Sequence, residues 1–358
     1  MLTYLLRRVL LMLPTLLGIT LVVFSVMAMS PGGISAQTLT GGMDMKPEER
    51  QALLNYYNRR YGLDKPPALQ YLHWLNNVSP IGFETDDKGE YTRFSWRKGM
   101  DLGVSFQYGR PVADIVAERL PITLLLNVIT IPLTYAVAIA VGVKSASRRG
   151  GTFDIAAGAS MLALWSLPTM LVGVLLLGFF ANVQHWQWFP TAGLISREAL
   201  DMPFLPHFGA DGFVRGYLLD AAWHLVLPVL CLSYGSFAAL AKLTRAAVLE
   251  NLYSDYARTA RAKGLNEREV LWRHVFRNSL LPLITISAGL LPSLLAGSLI
   301  VENIFSINGM GQLAVEAVKG RDRELVLSIT WISGFLTLVG YLIADFCYTL
   351  ADPRVSYD

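Results

Sequence analysis

From Val9 to Met29 the chain runs through 21 residues without a charged side chain. A helix rises about 1.5 Å per residue, so this run crosses a hydrocarbon core of roughly 30 Å. Similar apolar runs lie near 120–143, 155–181, 222–242, 279–302 and 326–350, which predicts six membrane spans. With 53% hydrophobic and 16% charged residues, the composition excludes an ordinary soluble protein. Backbone polar groups in lipid must be satisfied internally, so the fold class is an all-α polytopic membrane protein. Pro132, Pro168, Pro228 and Pro292 fall inside the runs and predict kinks, and Gly173 to Gly178 predicts close helix packing. The first run follows Arg7-Arg8 and reads as a retained anchor, not a cleaved leader. Cys231 and Cys347 each stand alone in an apolar run and read as reduced packing residues.

The net charge is only +3, but its placement sets an orientation. Arg7 and Arg8 precede the first span. Lys144, Arg148 and Arg149 separate the second from the third. Lys242, Arg245, Arg258, Arg261, Lys263, Arg268, Arg273 and Arg277 separate the fourth from the fifth. The loop at 182–221 holds only Arg197 and Arg215. Positive loops face the cytoplasm, so both termini are expected inside. This divides the chain into an N-terminal tail and first span (1–30), an extracytoplasmic insertion (31–118), a core (119–350) and a cytoplasmic tail (351–358). In the insertion, Pro47 to Arg60 reads as a helix stopped by Gly62, and the DDKGE stretch at 86–90 reads as an exposed turn. The insertion is either a docking surface for a binding protein or a lid on the spans. Trp186, Trp188 and Phe189 read as interfacial aromatics, with a place along a solute path as the alternative, and His224 as an interface residue. Glu302 and Asp345 sit near span ends, where a carboxylate tends to face a bundle interior.

The densest positive charge lies in YARTARAKGLNEREVLWRHVFRNSLLP, Tyr256 to Pro282. Ser254 is placed to cap a short helix over Asp255 to Lys263, Gly264 to stop it in a left-handed turn, and Asn266 to restart a helix with Glu269 as capping partner. In the first helix Ala257, Ala260 and Ala262 are spread among Arg258, Arg261 and Lys263, giving no apolar face and suiting a polar groove on a partner. In the second, Leu271, Trp272, Val275 and Phe276 share an arc, with Arg273, His274 and Arg277 mostly opposite. Charge alone explains the stretch as a topology signal; the order of its residues adds more.

That order resembles the signature loop of permease subunits in ABC importers, in the variant of the dipeptide/oligopeptide permease family. The opening Arg7-Arg8 through Pro14 to Ser30-Pro31-Gly32, the segment Phe305-Ser306-Ile307-Asn308-Gly309-Met310-Gly311, and the ending Asp352-Pro353-Arg354 resemble the same family, and LWRHVFRN and CYTLADPR lean toward its branch associated with peptide-like antibiotic uptake. The resemblance implies a type I importer permease whose loop at 243–278 holds a coupling helix docked on a cytoplasmic ATPase. By matching position, Tyr256, Ala257, Arg258, Ala260, Arg261, Ala262, Lys263, Gly264 and Leu265 form that contact, and His274, Arg277, Asn278 and Pro282 shape the return to the membrane. It further implies a heterodimer with a second homologous permease, two ATPase subunits that hold ATP and magnesium, and an extracytoplasmic substrate-binding protein, all at a bacterial inner membrane. The chain itself shows no G-x-x-x-x-G-K-[ST] loop, so hydrolysis is expected on other subunits. Peptide-like solutes are the expected cargo, with nickel, glutathione or sugars as alternatives. A secondary transporter predicts inverted repeats and ionisable midplane residues, an intramembrane protease predicts G-x-G-D or a serine-histidine pair, and neither pattern is evident.

Overall fold

A computed structural model describes residues 2–30, 46–85, 91–209, 212–280, 282–284 and 298–351. In chain order these form α1 (Leu2–Met29), α2 (Pro47–Tyr61), α3 (Pro67–Val78), β1 (Gly82–Thr85), β2 (Tyr91–Ser95), α4 (Val112–Ser147), α5 (Thr152–Ser166) and α6 (Thr169–Leu176). They continue with β3 (His207–Gly209), β4 (Gly212–Val214), α7 (Gly216–Leu252), α8 (Asp255–Ala262), α9 (Glu267–Glu269), α10 (Leu299–Ile304), α11 (Met310–Lys319) and α12 (Arg323–Ala351). Both strand pairs are antiparallel hairpins, with Phe83 opposite Phe94 and Phe208 opposite Phe213.

The helices α1, α4, α7 and α12 are long and apolar enough to cross a membrane, and α5 with α6 makes a fifth span if that bent pair is one. The span expected near 279–302 falls mostly outside the described residues, as do Pro292, the 86–90 turn, Pro31-Gly32 and Asp352-Pro353-Arg354. Within the stretch expected to span at 155–181, α5 and α6 meet at 98°, so the kink expected at Pro168 is present and sharp. Pro168 lacks an amide donor and forces Leu167 into an extended conformation (φ −87°, ψ 128°), which ends the helix there. Pro132 and Pro228 leave α4 and α7 uninterrupted.

The chain divides into two compact units, residues 1–118 with 313–336, and 119–312 with 337–358. Hydropathy alone did not anticipate the grouping of 313–336 with the first unit. There, the helix expected from Pro47 is present and ends at Gly62 in the left-handed region (φ 62°). Phe24, Tyr71, Trp74, Val78 and Leu327 form one apolar core. Segment 102–108 is stitched to 316–328 by polar groups. Asp322 accepts from the Gln107 amide (3.0 Å) and the Ser105 hydroxyl, Tyr108 Oη donates to Glu316 (2.6 Å), and Ser328 Oγ donates to the Leu102 carbonyl (3.1 Å). Arg323 is buried, with its guanidinium 5.6 Å from the Phe24 ring and Nη2 donating to Gln70 O at 3.3 Å.

In the second unit, α4 and α7 pack closely where Gly142 faces α7; a Cβ on Gly142 would stand 2.8 Å from the Ala241 carbonyl. Gly173 likewise admits Ile304 and Cys231, while Gly178 has no such neighbour, so the predicted glycine packing holds at one end only. Cys231 is a buried free thiol, as expected of a packing residue. His224 is buried with Asp220 on the same helix face, and Asp220 Oδ2 accepts from the Ser196 amide at 2.7 Å. Trp186 and Trp188 are half exposed and stacked at 4.9 Å, and Phe189 stacks on Trp223 at 4.6 Å. Asp345 is half-buried on α12.

Candidate functional site

The basic stretch folds onto the ends of α4 and α7. Residues 243–252, expected in the loop, continue α7 to Leu252. Ser254 then starts α8 with cap-like backbone angles, but its hydroxyl turns back to the Asn251 carbonyl (2.6 Å) rather than capping α8. At the far end Gly264 takes φ 84°, its amide bonds to Arg261 O (2.9 Å), and the Leu265 amide bonds to Ala260 O (3.3 Å). These two bonds make a Schellman stop, and the positive φ is why glycine stands there. Asn266 Oδ1 accepts from the Glu269 amide at 2.9 Å and starts α9, as the sequence predicts.

The short helix does have an apolar face, contrary to expectation. Ala257 and Ala260, three residues apart, are buried against Val143, Ala146, Val248, Val270 and Val275, with Leu265 at the edge. The small side chains let α8 lie close to its support, so these alanines brace the helix from beneath. Tyr256, Arg258, Ala262, Lys263 and Gly264 face outward, with Thr259 between them. Arg258 is 70% exposed beside an Asp255 that is 99% exposed, at 3.7 Å. Tyr256 Oη donates to Asn251 Oδ1.

Arg261 does not join that outward set. Its Nε and Nη2 grip both oxygens of Glu267 at 2.7 and 3.2 Å, and Nη1 donates to the Leu252 carbonyl at 3.2 Å. One side chain thus ties the end of α7, the end of α8 and the start of α9 together. The hydrogen bond from Arg261 holds the Glu267 carboxyl below its ordinary range and raises the guanidinium in turn. Glu267 went unnoticed in the sequence, although it is an acidic residue just past the glycine stop.

Beyond α9 the backbone widens into a π turn over Val270–Val275 and then continues helically over 276–280. A five-residue repeat aligns Val270 with Val275, both buried, and leaves Trp272 half exposed against Phe276 at 5.0 Å. Trp272 and Phe276 thus lie side by side as the expected arc has them, while the pairing of Val270 with Val275 comes from the π turn, which a 3.6-residue period does not foresee. His274 is half-buried, and Arg277, Asn278 and Pro282 are exposed. Ser279, not predicted, is buried and donates to the carbonyls of Ala247 and Val275.

Two further constellations hold this unit. Arg245 forks onto Asp154 (2.6 and 2.7 Å), whose Oδ2 also accepts from the Gly150 amide at 3.0 Å, fixing the start of α5 on α7. The sequence showed Arg245 only as a topology charge. Glu302, flagged as a buried carboxylate without a known partner, accepts from Thr123 Oγ1 (3.1 Å) and the amides of Ser298 (3.2 Å) and Gln312 (3.0 Å). Thr123 Oγ1 in turn accepts from the Met310 amide at 2.8 Å. A Cβ on Gly309 would stand 2.5 Å from Glu302 Oε2, so the Gly309-Met310-Gly311 turn is shaped by the carboxylate it wraps.

With this geometry in hand, comparison with known proteins is informative. The model of the family described as binding-protein-dependent transport system inner membrane component matches residues 138–357, and that of the N-terminal part of such membrane components matches 1–127. The chain is 35% identical over 357 residues to the oligopeptide transport system permease protein AppB of Bacillus subtilis (strain 168), covering 100% of both chains. It is 33% identical over 367 residues to the dipeptide transport system permease protein DppB of Escherichia coli (strain K12), covering 100% of this chain and 99% of the other. It is 31% identical over 386 residues to the peptidoglycan transport system permease protein YejB of Agrobacterium fabrum, covering 99% and 98%. The chain therefore belongs to the family of inner-membrane permease components of binding-protein-dependent transport systems.

Proposed function

We propose that this chain is one of two non-identical permeases in an ATP-driven importer of peptide-like solutes, and that the outward face of α8 is its contact with a partner ATPase. The observation that carries the reading is the division of α8: alanines bury it, Arg261 and Glu267 brace it, and Arg258 and Lys263 stay exposed on the far side. A helix held this way transmits displacement of its outer face to α4 and α7, on which it rests. In this reading the membrane is a bacterial inner membrane, crossed six times with both termini inside, and segment 31–118 lies outside. ATP and magnesium belong to two separate ATPase subunits, and a binding protein delivers solute from outside. The relatives named for oligopeptide and dipeptide transport support peptides over nickel, glutathione or sugars. Coupling requires that the docked face favour one ATPase state over another.

The test is copurification from membranes that also contain the partner ATPases. The wild-type chain is expected to bring them down, and Arg258→Glu combined with Lys263→Glu to lose most of them while keeping its own expression. Equal recovery of ATPase with the charge-reversed chain contradicts the contact.

A further inference from the structure

On α3 the arrangement of a water-facing helix is inverted. Its polar side chains turn inward and are bonded. Gln70 Nε2 donates to the carbonyls of Leu63 (3.2 Å) and Lys65 (2.8 Å), and the His73 ring lies between the Arg60 carbonyl (3.1 Å) and Tyr91 Oη (3.0 Å). Asn76 pairs with both backbone groups of Phe83, each at 2.9 Å, and so closes the edge of β1 turned away from β2. Leu69 and Leu72, three residues apart, are left exposed. Buried polar groups beneath an exposed apolar face depart from ordinary burial in water. From Pro66 to Phe83 the chain holds no Asp, Glu, Lys or Arg.

Contacts with the first span set the depth of α3. Tyr71 Oη donates to the Leu17 carbonyl at 3.1 Å and lies 3.0 Å from Thr20 Oγ1. Thr20 stands about 17 Å along the uncharged run from Val9 to Met29, which is about 32 Å long. One turn further on, Trp74 and Val78 pack with Phe24 and with Leu327 near the start of α12. The helix thus occupies the half of the bilayer that holds the C-terminal end of α1, although the sequence alone places 31–118 outside the membrane. The neighbouring hairpin has two faces. Phe83 and Phe94 stand opposite each other on one, with Trp96 T-shaped to Phe94 at 5.4 Å and 75% exposed. Glu84 and Arg93 pair on the other at 3.6 Å. A two-stranded sheet has open edges, so it suits the headgroup level and not the hydrocarbon. Between hairpin and helix lies a groove of about 440 Å³ lined by Leu72, Leu75, Ile81, Phe83 and Tyr91, and the polar Asn76 and Ser79 in its wall are bonded to Phe83 and Ile81.

We propose that α3 and the β1–β2 hairpin form a phospholipid-binding surface, with an acyl chain in the groove and against Leu69 and Leu72, Trp96 at the headgroup level, and Arg97 beside it toward the phosphates. Lipid is the occupant because α3 is packed on a span whose own exposed residues, Leu21, Val22 and Val26, meet lipid at the same depth. An exposed tryptophan with arginine next to it belongs to the membrane–water interface. The proposal goes beyond the importer reading and needs only that α1 cross a membrane. Nitroxide labels are attached to single cysteines, Leu72→Cys, Trp96→Cys, Arg93→Cys and Glu49→Cys on α2, in the chain lacking Cys231 and Cys347. All four positions are exposed, so the labels disturb little packing. The chain is reconstituted with its copurifying subunits in phospholipid nanodiscs, and collisions with oxygen, which enters lipid, are compared with those of a nickel chelate, which stays in water. The labels at Leu72 and Trp96 are expected to show an oxygen-to-nickel ratio several-fold above those at Arg93 and Glu49, with Leu72 deeper than Trp96. Equal ratios at all four positions overturn the proposal by placing α3 in water. Low collision with both reagents at Leu72 and Trp96 overturns it by placing a protein subunit on the surface. Both faces of the disc are open to the reagents, so loss of the ATPases in the copurification test fails the importer reading and leaves this depth measurement standing.

Discussion

Arg261, expected at a contact with a partner, reaches Glu267 and Leu252 of its own chain. The distinction can be tested by exchange. Arg261→Glu should loosen the turn at Gly264 and reduce ATPase recovery, and adding Glu267→Arg should restore both, because the pair is remade with its charges reversed. Recovery of the turn without recovery of the ATPase would place Arg261 in the contact itself. The brace is solvent-exposed, so its contribution is at most about 1 kcal/mol. Glu267→Gln should then raise hydrogen exchange of the Gly264 and Leu265 amides by up to about fivefold at neutral pH. The sign with pH follows from the depressed Glu267 carboxyl. Its contribution is present above the ordinary glutamate value of about 4.3 and is lost as pH falls through the lower, folded one. Acidification should therefore close the gap in amide protection between the wild type and Glu267→Gln, and that gap should stay constant between pH 6 and 8.

At the scale of elements, the sequence was most legible where one residue determines a backbone state. Gly62 and Gly264 end helices at left-handed angles, and Asn266 starts one, all as read from the chain. It was least legible where distant residues decide. The Ala257 and Ala260 face is apolar only because Val143 and Val248 lie beneath it, and the Val270–Val275 π turn follows from packing that no local period encodes. The carboxylate nest at Glu302 lay between these extremes: burial of the acid was readable, but its partner Thr123 stands 179 positions away. This nest should be sensitive to added volume. Gly309→Ala places a methyl within 2.6 Å of both Glu302 and Thr123 Oγ1, and it should destabilise the unit by about 1–3 kcal/mol. Thermal unfolding of the detergent-solubilised protein reads this directly, and an unchanged midpoint would mean that the turn is not held by the carboxylate. The Arg245–Asp154 fork makes a companion case. Asp154→Asn leaves Arg245 facing a neutral amide in a half-buried site, and a loss of about 3 kcal/mol is expected by the same measurement.

At the scale of the whole molecule, family membership and the placement of charge agree on one arrangement. Apolar helices cross a membrane, and the most basic connection between them carries a short, rigid, outward-facing helix. The division of that helix into a supported and a presented side is the central claim, and it gives neighbouring positions opposite roles. Single cysteines at Ala257, Arg258 and Lys263, in a chain lacking Cys231 and Cys347, can be cross-linked in membranes to the partner ATPase with a short bifunctional reagent. Arg258→Cys and Lys263→Cys are predicted to join the ATPase, with a yield that changes when ATP is added, and Ala257→Cys to stay unjoined. Equal cross-linking from all three positions, or none from the two outward ones, would contradict the account.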